Sequence, residues 1–224
     1  MQKNNISNSV IRRLPRYYRF LGELLNQGIT KISSRELSEK MRLTASQIRQ
    51  DLNCFGGFGQ QGYGYNVAEL RREVGHILGL DKQDKMILIG AGNLGRAITV
   101  HIDFAKYGYE LVGIFDSNIS LENIEISGIK IMHINKLPEF CEQHKPSMAV
   151  LCIPKSGAKD MVKNLIELGV NAFWNFSHYD IHYDYPDAAV ENVHLTDSLM
   201  TLSYAARSRQ EYSPEGNDPD ITED

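Results

Sequence analysis

Apolar residues recur at three- and four-residue spacing along the first part of the chain, which is the pattern of amphipathic helices. The first such run extends from Val10 to Leu25 and is closed by Gly28. Pro15 lies within this run, and a proline in a helix interior lacks the backbone N–H that the helix needs. We therefore expect the pattern to kink or restart at Pro15, with the main helix running on from there.

Helix-start signals follow twice in quick succession. Ser33 with Glu36, and then Thr44 with Gln47, have the three-residue spacing of a capping box. Only the sequence MRL separates the two predicted helices, and each of them carries apolar residues at helical spacing. Two short helices joined in this way are typical of a helix-turn-helix.

The stretch FGGFGQQGYGYN comes next and carries five glycines between Gly56 and Gly64. Glycine interleaved with aromatic residues predicts a hairpin with a tight, exposed tip. A further amphipathic pattern from Val67 to Leu78 predicts a closing helix. The helices, the hairpin and the closing helix together predict a winged-helix domain.

From Met86 onward, strand-like apolar runs alternate with helical patterns. Strands are predicted at Met86–Ile89, Glu110–Phe115, Ile129–Met132, Met148–Cys152, Ala172–Asn175 and Asn192–Leu195. Helices are predicted at Leu94–Lys106, Lys136–Glu142, Gly157–Leu168 and Thr196–Arg209. Such alternation predicts a parallel sheet with helices on its faces.

The predicted fold class is therefore α/β, with an N-terminal winged-helix domain followed by a Rossmann-type parallel sheet. The predicted boundaries are residues 1–80 for the winged helix, 81–85 for a polar linker, 86–195 for the Rossmann domain, 196–210 for a C-terminal helix and 211–224 for an acidic tail. The tail is charged and lacks periodicity, so we expect it to be disordered.

Charge separates the same two parts of the chain. Residues 1–85 carry 14 Lys and Arg against 8 Asp and Glu, whereas residues 86–224 carry 10 against 20. The resulting net charge of +6 on the first part would attract a polyanion such as nucleic acid.

Composition also restricts the compartment. The three cysteines are widely spaced and form no CxxC pair, which favours a reducing cytoplasm over disulfides or structural zinc. No apolar run approaches the roughly 20 residues of a membrane span, and the N-terminal stretch lacks the apolar core of a secretion signal. We expect a cytoplasmic protein that makes no membrane contact.

The stretch MILIGAGNLGRAITV predicts a strand, a glycine-rich turn and the start of a helix, an arrangement that binds dinucleotides. The first glycine of such a turn allows the tight bend, the second lets the backbone approach a pyrophosphate, and the third lets the helix pack on the strand. Asp116, 21 residues after Gly95, is placed to bind the adenosine ribose and would repel a 2′-phosphate. The sequence predicts NAD(H) bound by Asp116 and by Gly90, Ala91, Gly92, Asn93, Leu94 and Gly95.

Residues that would use this cofactor chemically are not evident. None of the 11 tyrosines has a lysine four residues later, and no GxxxxGK, HExxH or GxSxG motif occurs. His178 and His182 have HxxxH spacing, but the surrounding HYDIHYDYP does not predict a stable helix, so we expect no metal site. His101 alone does not supply both the acid–base group and the substrate anchor of a dehydrogenase. The pattern indicates a cofactor that is sensed rather than turned over.

The second helix of the helix-turn-helix offers a use for the basic part. With Ile48 and Leu52 turned inward, its polar side chains project outward. Arg, Gln and Asn make bidentate contacts to base edges, Ser contacts phosphates, and a hairpin tip enters the minor groove. The predicted contacts to double-stranded DNA are Thr44, Ser46, Gln47, Arg49, Gln50, Asn53, Gln61 and Gly62.

Four stretches, RLPRYYRFLGEL, SSRELSEKM, QIRQDLNCFGGFGQQGYGYNVAEL and GAGNLGRAI, together resemble the Rex family of redox-sensing transcriptional repressors. The resemblance extends from about Val10 to Arg209. It implies a homodimer with C-terminal helices swapped between subunits, which binds a palindromic operator and releases it when NADH replaces NAD+. The dinucleotide would then be a signal, and no catalytic residue is expected.

The resemblance also implies individual site residues. Cys152, Ile153, Pro154, Asn175 and Phe176 fall where the family lines its cofactor pocket. The swapped helix would be Thr196–Arg209, which has one apolar face containing Leu199, Leu202 and Ala206.

Three switch positions correspond to Arg19, His101 and His194, and two of them depart from the family pattern, which has tyrosine at His101 and aspartate at His194. A neutral imidazole offers no full charge pair to Arg19, and a protonated one repels it. We therefore hypothesise a blunted or pH-dependent NADH response. Gln50 and Gln61 stand where the family usually has Lys or Arg, so phosphate contacts are lost there and the operator preference is open to drift.

Three other interpretations stay open at this point. The chain is a paralogue that binds its operator without redox sensing, a small NAD-dependent oxidoreductase with an accessory helical domain, or a nucleotide-binding scaffold that acts only through proteins. Turnover of NADH with carbonyl substrates would identify the oxidoreductase, and failure to bind any duplex at low salt would identify the scaffold.

Overall fold

The computed structural model describes residues 6–55 and 64–211, with side chains as far as residue 208. These residues form two compact units. The N-terminal unit contains the described residues up to 83 together with 105–109, and the C-terminal unit contains 84–104 and 110–211. The predicted hairpin tip, with Gln61 and Gly62, and the acidic tail lie outside the described residues.

The described part of the N-terminal unit is mainly helical. Its elements are α1 (Asn8–Ile11), α2 (Leu14–Asn26), β1 (Lys31–Ile32), α3 (Ser34–Met41), α4 (Ala45–Asn53), β2 (Tyr65–Asn66) and α5 (Val67–Ile77). Pro15 lies in the first turn of α2, where no intrahelical bond needs its missing N–H, so the helix restarts there as predicted. Strands β1 and β2 pair antiparallel, with Lys31 opposite Asn66.

The caps of α3 and α4 explain where these helices start. Ser33 Oγ accepts from the Glu36 N–H at 3.1 Å, and the Glu36 carboxylate accepts from the Ser33 N–H at 2.8 Å, which confirms the first capping box. Thr44 Oγ1 likewise accepts from the Gln47 N–H at 3.0 Å. The reciprocal half of the second box is wrong, because the Gln47 side chain donates to Asp51 instead.

The apolar faces of these helices share one core. Leu21 and Leu24 of α2 belong to the same buried cluster as Ile48 and Leu52 of α4, so α4 turns its apolar face inward as predicted. Burial of each such side chain contributes about 1.5–3 kcal/mol. The apolar spacing therefore fixes which face of α4 remains outside.

A seven-stranded sheet forms the centre of the C-terminal unit. Its strands are β3 (Asp84–Ile89), β4 (Tyr109–Asp116), β5 (Glu125–Ile126), β6 (Ile129–His133), β7 (Met148–Leu151), β8 (Ala172–Asn175) and β9 (Ala189–Asn192). They lie in the order β5-β6-β4-β3-β7-β8-β9, and β5 is antiparallel to β6. Without β5 this is the 3-2-1-4-5-6 order of the Rossmann fold, whose ligand site lies where the strand order reverses, beyond β3.

Five helices accompany these strands in the described part of the unit. They are α6 (Asn93–His101), α7 (Leu137–His144), α8 (Lys155–Glu167), α9 (Ile181–Asp184) and α10 (Leu195–Glu211). None of the described helices of the chain is long and apolar enough to cross a membrane.

The sheet departs from the prediction at its edges. The last strand is Ala189–Asn192 rather than Asn192–Leu195, and Leu195 begins α10. The side chains of β9 are largely exposed, so its sequence lacks the hydrophobic signal of a buried strand. The helix predicted over Leu94–Lys106 ends at His101. The sequence misses β5 and α9 because elements of two and four residues are too short for a periodic pattern.

Helix α10 exposes apolar side chains along its length. Between 61% and 76% of each of Leu195, Leu199, Met200, Leu202 and Tyr204 is accessible. Every residue of this helix whose side chain is described is exposed. A helix that packed on its own unit would turn such residues toward a core.

Candidate nucleotide and DNA sites

The glycine turn after β3 has no room for a side chain at two of its positions. Gly90 has a φ of +100°, and a Cβ there would lie 2.5 Å from the Cys152 carbonyl oxygen. A Cβ at Gly95 would lie 2.0 Å from the Gly90 carbonyl oxygen, so α6 approaches β3 closely only because this residue is glycine. A Cβ at Gly92, by contrast, would meet nothing within 4 Å. This open position is where a pyrophosphate would approach the backbone.

The start of α6 offers hydrogen-bond donors to an anion. Gly92 is the N-cap residue and supplies no side-chain cap, so the first N–H groups of the helix are available to a phosphate. Asn93 and Leu94 are exposed at this helix end. Arg96 holds the turn from within, since its Nε donates to the Ala91 carbonyl oxygen at 3.1 Å.

Asp116 ends β4 and contacts the glycine turn directly. Its Oδ2 accepts from the Ala91 N–H at 2.7 Å, and its Oδ1 accepts from the Asn118 N–H at 2.8 Å. Each carboxylate oxygen accepts two hydrogen bonds, so one lone pair on each remains for a ribose hydroxyl. The carboxylate is thus fixed beside the turn in the position that ribose binding needs.

The other predicted lining residues follow the ends of β7 and β8. Cys152 is partly buried, and burial raises the pKa of its thiol to about 12, so the thiol stays protonated. Ile153 packs beside the glycine turn, and Pro154 is the N-cap residue of α8. Phe176 is partly buried and packs edge-on against Trp174, with ring centroids 4.9 Å apart. Together they supply neutral, mostly apolar groups.

Asn175 has a different place from its neighbours, because its side chain is buried and fully hydrogen-bonded. Its amide donates to the Tyr179 carbonyl oxygen at 2.8 Å and to Asn192 Oδ1 at 2.7 Å. Its Oδ1 accepts from the Ser177 N–H and hydroxyl at 3.0 and 2.6 Å. These bonds use the full capacity of the amide group. Asn175 therefore shapes the loop that carries His178.

His178 contacts His194 rather than the His182 of its HxxxH spacing. The Nδ1 atoms of His178 and His194 lie 2.6 Å apart, and their rings stack with centroids 4.7 Å apart. Two imidazole nitrogens at this distance share one proton, so one ring donates and the other accepts. The predicted switch residue His194 is thus already engaged within its own unit.

The remaining switch positions are accessible, and no metal cluster accompanies them. His101 is exposed at the last position of α6, and Arg19 is exposed on α2 of the N-terminal unit. Within the described ranges, no three His, Cys, Asp or Glu side chains gather as a metal site.

The outer face of α4 carries most of the predicted DNA contacts. Thr44, Ser46, Arg49, Gln50 and Asn53 are all exposed. Arg49 lies across the groove between helices, where its Nη1 donates to the Ser34 hydroxyl at 3.1 Å. Arg and Gln side chains projecting from one helix face are suited to reading base edges in a major groove.

Gln47 belongs to a polar cluster behind this face, which we call the Asp51 clamp: Asp51, Arg13, Tyr17 and Gln47. Asp51 is completely buried. Its Oδ1 accepts from Arg13 Nη2 at 2.7 Å and from Gln47 Nε2 at 2.9 Å, and its Oδ2 accepts from Arg13 Nε at 2.7 Å and from the Tyr17 hydroxyl at 3.0 Å. Four donors saturate the four lone pairs of one carboxylate. The clamp joins the start of α2 to the middle of α4.

The electrostatics of the clamp favour its charged form. Burial raises the pKa of Asp51, but hydrogen bonds from Arg13, Gln47 and Tyr17 outweigh it, so the pKa lies below the ordinary value for aspartate. The hydrogen bond to Asp51 raises the pKa of Arg13. Burial and the same carboxylate raise the pKa of Tyr17. Arg13 and Asp51 therefore form a charged pair at neutral pH, and Tyr17 is a neutral donor to it.

Sequence reasoning misses the clamp and the histidine pair. Asp51 is 38 residues from Arg13 and His178 is 16 residues from His194, and no local pattern links such partners. One signal for the clamp was present, because Asp51 lies three residues after Ile48 and one before Leu52 on the inward face of α4. A charged residue at a core-facing position requires a buried partner.

The fold and the two sites define a protein class in which a helix-turn-helix unit is joined to a Rossmann unit built for a dinucleotide. Comparison with known proteins supports each half. A family model of a DNA-binding protein N-terminus matches residues 5–53, and a CoA binding domain model matches residues 81–179.

Whole-chain relatives specify the family. The redox-sensing transcriptional repressor Rex of Thermoanaerobacter pseudethanolicus is 53% identical over 203 residues, which cover 91% of this chain and 90% of the relative. The corresponding protein of Clostridium novyi is 50% identical over 203 residues, 91% of this chain and 96% of the relative. The chain belongs to the Rex family of redox-sensing transcriptional repressors.

Solved structures agree with this assignment. RSP, a Rex-family repressor, in complex with β-NAD+ and operator DNA has a TM-score of 0.85 and 49% identity, covering 94% of this chain and 96% of that chain. RSP in complex with β-NADH has a TM-score of 0.85 and 47% identity, covering 94% and 98%. The relatives are named as repressors and not as enzymes, in keeping with the prediction that the cofactor is sensed.

Proposed function

We propose that this chain is a transcriptional repressor that binds a palindromic operator as a homodimer and senses the NADH/NAD+ ratio. The observation that carries the proposal is the likeness to RSP, a structure containing both NAD+ and operator DNA that matches 94% of this chain. The glycine turn with Asp116, and the exposed face of α4, supply the two sites that such a protein needs.

We assign DNA binding to residues 1–80 and NAD(H) binding to residues 86–195, with residues 196–210 as the helix exchanged between two copies. The exposed apolar residues of α10 support this exchange, because burying them against a second copy removes them from water. A palindromic operator requires two α4 helices about one DNA turn apart, which a symmetric dimer provides. A regulator of this kind works in the cytoplasm, where both DNA and NAD(H) are present.

A second candidate is a repressor whose response to NADH is blunted, and the histidine pair favours it. His194 lacks the negative charge that the family position supplies to Arg19, and its Nδ1 is held by His178 at 2.6 Å. An imidazole bonded in this way offers little to an arginine. In this version the operator is bound normally and the ligand effect is small.

The test is fluorescence anisotropy of the purified protein on the labelled RSP operator duplex, titrated with NADH and separately with NAD+ at pH 6 and pH 8. Release by NADH alone supports the redox switch. Tight binding that neither nucleotide changes supports the blunted repressor. Failure to bind any duplex at low salt would overturn both, and turnover of NADH with carbonyl substrates would instead identify an oxidoreductase.

A further inference from the structure

The Asp51 clamp connects a buried charge to the helix that faces DNA. Asp51 is on α4 itself, whereas Arg13 and Tyr17 are on or beside the first turns of α2. Neither Asp51 nor Tyr17 has accessible surface, so neither side chain contacts DNA. Their bonds therefore act on DNA binding only through the placement of α4.

The bonds of the clamp restrain rotation of α4 about its own axis. The Arg13 guanidinium meets the carboxylate through two parallel hydrogen bonds of 2.7 Å, a planar arrangement with little angular freedom. Gln47, one turn earlier on α4, and Tyr17 fill the remaining lone pairs. The carboxylate is thereby fixed in both position and plane.

Rotation of α4 would displace the residues that face DNA. At 3.6 residues per turn, Arg49 and Asn53 point about 160° away from Asp51. A roll of roughly 10° about the helix axis moves the tip of a long side chain by more than 1 Å, beyond the about 0.5 Å that a recognition site tolerates. Base contacts are lost by such a roll, whereas attraction to phosphates is long-ranged and persists.

A second contact ties α2 to the helix-turn-helix. The Arg16 guanidinium donates to the Met41 carbonyl oxygen at the end of α3. Helix α2 thus holds the helix-turn-helix at two places, the turn before α4 and the middle of α4.

We propose that Asp51, with Arg13, Tyr17 and Gln47, is the positioning device that sets the rotation of α4 for sequence-specific operator recognition. Gln47 then acts on Asp51 instead of reading a base. This inference rests on the proposed DNA-binding function and adds to it a set of residues that determine specificity without accessible contact to DNA.

The test compares Tyr17→Phe with the unaltered chain and with Tyr18→Phe. Tyr17→Phe removes one bond to Asp51 and leaves the charges and the buried ring in place. Tyr18→Phe removes a hydroxyl from the same helix and keeps the ring that stacks on Arg71 at 4.2 Å. Affinity is measured for the RSP operator duplex and for a scrambled duplex of equal length, each at several salt concentrations.

We expect Tyr17→Phe to lower the ratio of operator to scrambled affinity about fivefold, since losing a hydrogen bond to a charged buried group shifts an equilibrium by about that factor. Asp51→Asn is expected to lower it further, and Tyr18→Phe to leave it unchanged. The slope of log affinity against log salt stays constant, because no phosphate contact is removed. A partly unfolded variant would lose both affinities equally, so the ratio separates positioning from stability.

Two results would overturn the clamp while leaving DNA binding intact. One is an unchanged affinity ratio in both Tyr17→Phe and Asp51→Asn. The other is a salt slope reduced by about one in Arg13→Gln with both affinities lowered equally, which would make Arg13 a direct phosphate contact. If the unaltered chain binds neither duplex, the proposed function itself fails.

Discussion

The two units of this protein use their polar and apolar side chains in opposite ways. In the N-terminal unit, the apolar faces close on one core and the buried carboxylate of Asp51 receives four hydrogen bonds from its own unit. In the C-terminal unit, the position of Gly92 is open, Asp116 retains free lone pairs and α10 exposes its apolar residues. The first unit is complete as a structure, whereas the second is shaped for additions.

The difference teaches where recognition is preformed and where it depends on binding. A surface held by a saturated polar cluster costs little to organise when DNA arrives. An open turn and an uncovered helix gain stability only when a ligand and a second chain occupy them. The N-terminal unit thus resembles a fixed reader, and the C-terminal unit the part whose state varies.

The largest expected effect comes from preventing the cover of α10. Replacing Leu199 and Leu202 together by Glu leaves an isolated chain intact, because both side chains are more than 60% exposed. In a dimer the same charges would be buried without partners. We expect a monomer in sedimentation velocity and an operator affinity lowered about 100-fold through loss of bivalent binding.

Thr201→Glu is the matched control, since Thr201 is an exposed polar residue of the same helix. It is expected to keep both the dimer and the affinity. A double variant that remains dimeric would show that α10 is covered by something other than a second copy.

The next largest effect concerns the open position of the glycine turn. Gly92 has a φ of −70°, which any residue adopts, and an added Cβ would meet no protein atom within 4 Å. Gly92→Ala therefore folds normally, but its methyl group occupies the space of the pyrophosphate. We expect NADH affinity, measured by calorimetry, to fall at least about tenfold, with thermal stability unchanged.

Gly157→Ala serves as the control, because a Cβ there also meets nothing within 4 Å. It should bind NADH like the unaltered chain. Equal NADH affinity in all three proteins would place the pyrophosphate elsewhere.

These residues also mark how far the sequence predicts the fold and the site. The glycine turn and Asp116 are predicted because one strand–turn–helix unit and the next strand carry the whole signal in 27 residues, from Gly90 to Asp116. The inward turn of Ile48 and Leu52 follows from helical spacing alone. Local geometry is written in local sequence.

The clamp and the histidine pair lie beyond that reach. Which arginine meets Asp51 depends on how α2 crosses α4, and that crossing is decided by the packing of the whole core. Likewise, the amide of Asn175 bonds to Asn192 on β9, whose place in the sheet the sequence misjudges by three residues. Long-range contacts of this kind are set by the tertiary fold.

The third effect in size is the pH dependence of the clamp. Hydrogen bonds outweigh burial and hold the pKa of Asp51 below its ordinary value, so the folded state favours the carboxylate more than the unfolded state does. This stabilisation is fully present above the unfolded pKa of about 3.9 and is lost as the pH falls through the folded pKa. At pH 7 we expect Asp51→Asn to cost about 2 kcal/mol, below the usual range for a broken buried pair because Arg13 is partly exposed.

Hydrogen exchange of the α2 and α4 amides measures this cost, and the difference between the two proteins should shrink as the pH falls below 4. Fluorescence of the single tryptophan, Trp174 on β8, reports the C-terminal unit in the same samples and should not change. A cost that is the same at pH 7 and pH 3 would mean that the charge of Asp51 contributes nothing to the clamp.

The smallest expected effect tests the histidine pair. His194→Asp restores a carboxylate beside His178, whose Nδ1 then donates to an anion instead of sharing a proton with a second imidazole. The carboxylate is also able to pair with an arginine, which an imidazole held by His178 does not do. We expect NADH to weaken operator binding about fivefold more in this variant than in the unaltered chain, within the usual range of coupling between two sites.

His182→Asp is the control, because it adds the same charge on α9 at an exposed position. It should leave the response to NADH unaltered, whereas the His194→Asp response should also lose part of its dependence on pH between 6 and 8, the range in which imidazole titrates. If both variants respond to NADH as the unaltered chain does, the identity of residue 194 does not limit sensing. The C-terminal unit would then transmit its ligand state by contacts other than the histidine pair.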